Sequence, residues 1–213
     1  MKIAFFSEST ADEAALKILV AGILGEQIEE TNLPNKLIYR SSSHLDKTLP
    51  AVIRAVHYNS DAEALVIVSD SDDTPVHTKT HEETQIEECR LCQLRKAIAE
   101  TLSKLQPVAG KGIIKVSVGV PVPAIEAWYL YGINPQLYEA TWIRKQNGEN
   151  ITYNRKSLKQ EIYGTVRPTI DLETECAVKE VKRIIESELL ENLQKDFPYG
   201  FGSMAHEIRS WKP

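Results

Sequence analysis

Apolar and polar positions alternate along this chain in short blocks. Lys2 to Phe6 is an apolar run too short for a helix and predicts a strand. From Ala11 to Ile23, Ala, Leu, Ile and Val recur at helical spacing, with Ser9 or Thr10 placed to cap the helix. A second strand is predicted at Lys36 to Tyr39, and a helix from about Asp46 to Tyr58. The clearest strand is Ala64-Leu-Val-Ile-Val-Ser69, which runs straight into a cluster of aspartates. Glu82 to Leu105 carries a long, charge-rich helical pattern, and Gly112 to Val118 is another β-branched strand. The Pro121-Val-Pro123 turn then leads to a helix started by Glu126.

Strands alternating with helices predict an α/β fold: a largely parallel sheet flanked by helices, Rossmann-like, with ligands gathered at the carboxyl ends of its strands. Glu8 and Asp70 fall at such ends. From Trp142 onward the pattern becomes polar, basic and aromatic, punctuated by Gly148, Gly164, Pro168, Pro198, Gly200 and Gly202. The expected organisation is an α/β domain over 1–141 and a mostly helical C-terminal appendage over 142–213. No internal repeat is present, and Ser41-Ser-Ser43 is the nearest thing to a low-complexity segment.

Composition narrows the choices. At 213 residues and 42% hydrophobic content the chain can bury a sizeable core. The net charge of −5 lacks the basic excess behind nonspecific phosphate binding, so any nucleic-acid contact has to be local or metal-assisted. No stretch approaches the roughly 20 apolar residues of a membrane span, and the first residues lack the basic flank of a signal peptide, so no membrane partner and a cytoplasmic location are expected. Cys89, Cys92 and Cys176 are an odd number, unlike a secreted disulfide framework, and point to reduced thiols or a metal clip.

Asp70 and Asp72 sit at alternate positions after an apolar strand, where their side chains can converge on one point. Crowded carboxylates repel one another unless a cation offsets them, and a hard ion such as Mg²⁺ (or Mn²⁺) takes oxygen ligands of this kind. Asp70 to Asp73 also suits a plain turn and helix cap. Glu8 occupies the matching place after the first strand, and Asp12 follows it by one helical turn, as a second carboxylate or an ordinary helix-start residue. Glu126 can complete the acidic edge or serve only as a favourable charge at a helix start.

The strand followed by Glu8-Ser-Thr-Ala-Asp12, and much later the strand followed by Asp70-Ser-Asp72, resemble the TOPRIM fold of topoisomerases, primases and OLD-family nucleases. Pro123-Ala-Ile-Glu126-Ala-Trp128 and Phe197-Pro-Tyr-Gly-Phe201 are similar to small stand-alone TOPRIM-like proteins. The resemblance implies an acid/base or metal role for Glu8, metal binding by Asp70 and Asp72, and a match of Asp12 to the second carboxylate of OLD-type sites. Ser9 stands where glycine ordinarily follows the Glu. In a two-metal arrangement, Asp12 and Glu126 are the candidate ligands of the second ion.

Two further clusters carry chemistry. His77, His81, Cys89 and Cys92 lie within one short interval, and two imidazoles with two thiolates satisfy tetrahedral Zn²⁺. The cysteines equally suit a helix core, and the histidines a polar loop or a substrate phosphate. Arg144, Lys145, Arg155, Lys156 and Lys159 form the most basic stretch, interleaved with Tyr153 and Tyr163, and are candidates for holding phosphate or for a solvated loop.

The function expected from these residues is Mg²⁺-dependent phosphoryl transfer by a TOPRIM-like nuclease, with Glu8, Asp70 and Asp72 as catalytic residues and nucleic acid as substrate. OLD-type nucleases join this domain to an ATPase. This chain has no GxxxxGK[ST] loop, so the resemblance implies a separate ATPase subunit and a role in antiviral or mobile-element defence. The alternatives are a non-catalytic TOPRIM-derived adaptor of an ATPase complex, and a DxD-type nucleotide-sugar transferase.

Overall fold

The computed structural model describes residues 1–31, 33, 45–84 and 86–212. The strand expected at Lys36 to Tyr39 and the Ser41-Ser-Ser43 segment lie outside the described residues.

Among the described residues, four strands make an all-parallel sheet: β1 (Lys2–Phe6), β2 (Glu29–Glu30), β3 (Ala64–Val68) and β4 (Lys115–Gly119), in the order β2-β1-β3-β4. Phe6 pairs with Ile67, and Val68 with Gly119, so β1, β3 and β4 end on one edge. A strand flanked on both sides and covered on both faces has to be apolar throughout, and all five residues of β3 are buried.

Alternate strand residues enter two cores. Ala4, Phe6, Leu65, Ile67, Val116 and Val118 face α2 (Leu45–Asn59) and α4 (Arg90–Leu102), meeting Leu49, Ile53, Leu94 and Ile98. Ile3, Phe5, Val66 and Val68 face α1 (Thr10–Leu24) and the C-terminal helices. Those helices are α8 (Ile170–Glu186), α9 (Leu190–Asp196) and α10 (Ser203–Arg209), which bring Val181, Leu193, Met204 and Ile208 into the same core as β1. In chain order, the single turn α5 (Glu126–Tyr129), α6 (Glu139–Gln146) and α7 (Arg155–Tyr163) come between β4 and α8.

Helix α1 begins where expected. Ser9 is extended, and its Oγ accepts the Ala11 N–H at 3.2 Å, satisfying one of the orphan donors of the first turn. The long helix expected over Glu82 to Leu105 is instead α3 (Lys79–Glu83), a break and α4. Cys89 takes extended dihedrals of φ −76° and ψ 119° as the N-cap of α4, so the chain turns just before it although the apolar spacing continues.

One close approach fixes the C-terminal part on the sheet. The turn Pro198–Gly202 passes over the end of β4, where Val120 N–H donates to Gly200 O at 3.3 Å. A Cβ on Gly200 would lie 2.3 Å from Val120 O. The buried Glu139 carboxylate accepts the N–H groups of Tyr199 and Gly200.

Candidate functional site

The carboxyl edge of the sheet carries the acidic residues. Glu8 follows β1, and its Oε1 accepts from Ser69 Oγ and the Asp70 N–H, both at 3.2 Å, which ties the end of β1 to the end of β3. Asp70 Oδ1 in turn accepts the Ile125 N–H at 3.0 Å, joining β3 to the segment after β4. Asp72 adopts a positive φ of 52°, a conformation aspartate tolerates better than most residues. Its N–H donates to Pro123 O at 3.1 Å. Asp12, on the first turn of α1, accepts from the buried Tyr129 Oη at 3.0 Å. Glu126 is 3% exposed, and its Oε2 has no hydrogen-bond partner.

These groups feel one another. Burial, then the Glu126 and Glu8 charges, raise the Asp70 carboxyl well above its ordinary range, with the Arg155 guanidinium acting against them. Burial and the Glu126 charge push Asp12 up to about 7. Burial also raises Glu126, with Lys159 acting against it.

Two cations from α7 meet this edge. Arg155 Nη2 lies 2.7 Å from Asp70 Oδ2, and Nη1 pairs with Asp72 Oδ1. One turn on, Lys159 Nζ is 3.5 Å from Glu126 Oε1 and 3.7 Å from Glu173 Oε1. On the other side Arg90 Nη2 is 3.6 Å from Asp72 Oδ2. Glu173, whose Oε2 is 3.5 Å from Ser9 Oγ, joins this edge with no sequence signal beyond its place in the acidic first turn of α8. The remaining basic candidates are elsewhere. Arg144 pairs with Glu149 at 3.2 Å; Lys145 donates to Tyr153 O and lies 4.5 Å from the Trp142 ring centroid; Lys156 is exposed.

The acidic edge offers oxygen ligands of the kind a hard cation takes, with Glu126 Oε2 a buried acceptor without a donor, but among the described residues only the cluster of His77, His81, Cys89 and Cys92 brings three or more ligand atoms close enough to hold an ion. Arg155 pairs with one carboxylate oxygen of each of Asp70 and Asp72, oxygens that a cation would compete for.

A second cluster lies beside the first. The ligand atoms of His77, His81, Cys89 and Cys92 all fall within 4.8 Å of one another, and these four side chains can hold a metal ion such as zinc. His77, Cys89 and Cys92 are buried. His77 Nδ1 is 3.5 Å from Cys89 Sγ and 3.5 Å from Cys92 Sγ, while its Nε2 is 2.9 Å from Glu82 Oε1. Burial raises the Cys89 thiol to about 11 and lowers the His77 imidazole.

No helix among the described residues is long and apolar enough to cross a membrane. No family model matches the chain, and no curated protein or solved structure matches it.

Proposed function

We propose that the edge bearing Glu8, Asp12, Asp70, Asp72 and Glu126 binds Mg²⁺ or Mn²⁺ and carries out TOPRIM-like phosphoryl transfer, as a nuclease acting on nucleic acid. The observation that supports this reading is that acidic residues following three strands are linked in series, Glu8 accepting the Asp70 N–H and Asp70 the Ile125 N–H, next to the buried Glu126 with one oxygen unpartnered. Burial first, and then their mutual repulsion, raise the Asp12 and Asp70 carboxyls, a cost that a bound cation would offset.

A divalent ion held there supplies charge stabilisation to a phosphoryl group and an activated water. The chain's own contribution is positional. Asp70 and Asp72 are fixed by Ile125 N–H and Pro123 O, and Glu8 is fixed by two donors. Arg155 and Lys159 are the partly exposed cations on these carboxylates, and a phosphodiester can draw them onto its own oxygens. The same ion pairs favour a second reading, a non-catalytic adaptor in which Arg155 permanently takes the place of the cation.

The test is incubation with supercoiled plasmid, single-stranded DNA and RNA, with Mg²⁺, Mn²⁺ or chelator, alongside Asp70→Asn and Glu8→Gln. Metal-dependent cutting lost in both variants is the expected result. Cutting that survives both removes the acidic edge from the reaction, and the absence of both Mg²⁺ binding and cutting of any substrate selects the adaptor.

A further inference from the structure

We propose that His77, His81, Cys89 and Cys92 form a closed structural Zn²⁺ site that pins the loop carrying Asp70 and Asp72 to the start of α4. This stands apart from the phosphoryl-transfer reading, because no acidic residue of that edge is a ligand.

Distance is the first argument. Bond lengths of about 2.0–2.1 Å to nitrogen and 2.3 Å to sulfur, at tetrahedral angles, separate the two ligand atoms by about 3.5 Å. His77 Nδ1 is 3.5 Å from Sγ of both cysteines. A neutral imidazole nitrogen offers one lone pair, so it cannot accept a proper hydrogen bond from two thiols at once. One ion shared by all three satisfies them together.

The second argument is orientation. His77 Nε2 is 2.9 Å from Glu82 Oε1, and Arg95 Nη1 is 2.8 Å from the same oxygen. A carboxylate fixed by an arginine favours the proton on Nε2, leaving the Nδ1 lone pair aimed at the sulfurs. That carboxylate–histidine pairing is the usual outer support of a zinc ligand. His81 gives independent support: its Nδ1 is buried and has no hydrogen-bond partner, and its ring stands edge-on to His77 with centroids 5.3 Å apart.

Four protein ligands leave no open position, which is the mark of a structural rather than a catalytic zinc. On binding, the two thiols release their protons to solvent, and the two thiolates balance the charge of the ion. The centre would join the loop after β3 (His77), α3 (His81) and the start of α4 (Cys89, Cys92). Arg90, between the two cysteines, reaches Asp72 at 3.6 Å, so the clip also holds a cation against the acidic loop.

The purified full chain decides this. Elemental analysis should give one zinc per chain, and replacement by Co²⁺ should give thiolate-to-cobalt charge-transfer absorption with intense tetrahedral d–d bands, unchanged by excess azide. Cys92→Ser and His81→Ala should each lose the metal or shift the cobalt bands, whereas Cys176→Ser should keep both. The wild-type cobalt spectrum settles the matter even where a ligand variant fails to fold. A chain without zinc that shows no thiolate-to-cobalt absorption overturns the proposal, as does full zinc in both ligand variants. Bands displaced by azide overturn the closed coordination.

Discussion

Arg155 and Asp70 are 85 positions apart in the chain, yet their side chains meet at 2.7 Å, and the same guanidinium reaches Asp72. Helix α7 thereby lays a cation across the two aspartates that follow β3.

Removing that cation leaves two carboxylates, 13% and 24% exposed, facing each other. With Arg155 itself 40% exposed, solvent screens part of the pair, and Arg155→Ala should cost on the order of 1–2 kcal/mol in chelator. Mg²⁺ should restore more stability to the variant than to the wild type, because the ion no longer competes with the guanidinium. Thermal melts of both proteins with Mg²⁺ and with chelator measure this. Equal shifts would show that Arg155 does not hold the place of the ion.

Glu139 predicts a pH dependence. It is 2% exposed, and burial pushes its carboxyl from the ordinary 4.5 up to about 7, against the pull of the Tyr199 and Gly200 N–H donors. Between those values the native state keeps a proton that the unfolded chain has lost. Its contribution is therefore complete below about pH 4.5 and disappears as pH rises through 7. The raised acids Asp12, Asp70 and Glu126 act with the same sign. Urea melts at pH 5 and pH 8 should show lower stability at the higher pH. Glu139→Gln should reduce the slope by about one proton; an unchanged slope would assign the effect to the acidic edge alone.

Gly200→Ala tests the seam between β4 and the C-terminal turn. A methyl group 2.3 Å from Val120 O has to push two backbone segments apart, because the clashing atom is no flexible side chain. Overpacking of this kind costs roughly 1–3 kcal/mol. A denaturant midpoint equal to wild type would mean that the turn is free to move.

If zinc is held as proposed, Glu82→Gln keeps the fold but loses the carboxylate on His77 Nε2. Zinc affinity should fall about 10–100-fold in competition with a chromophoric chelator. Equal affinity would mean that another group orients the imidazole.

The parts of this molecule legible in the sequence are those decided locally. Strands β1, β3 and β4 are read from apolar runs that only a doubly covered strand tolerates, and α1 from its spacing and Ser9. Once the strands are placed, Glu8 and Asp70 have to end on one edge. The break before Cys89 was hidden because helical spacing persists across it. The partners of the acidic edge were hidden for another reason. Arg155, Lys159 and Glu173 come from helices whose position on the sheet is set by tertiary packing, which no local pattern records. The His/Cys cluster was legible from residue type and count, whereas its Glu82–Arg95 support was not.

The shared core of β1 with Phe197, Phe201, Met204 and Ile208 also bears on how the protein is made. Ile3 and Phe5 are made long before these C-terminal side chains, although α1 supplies Leu16 and Leu19 to the same core early. That face of the sheet cannot gather its full set of side chains until the helices from Leu190 onward exist, so contacts of long sequence separation, which are slow to form, set the pace at which it closes.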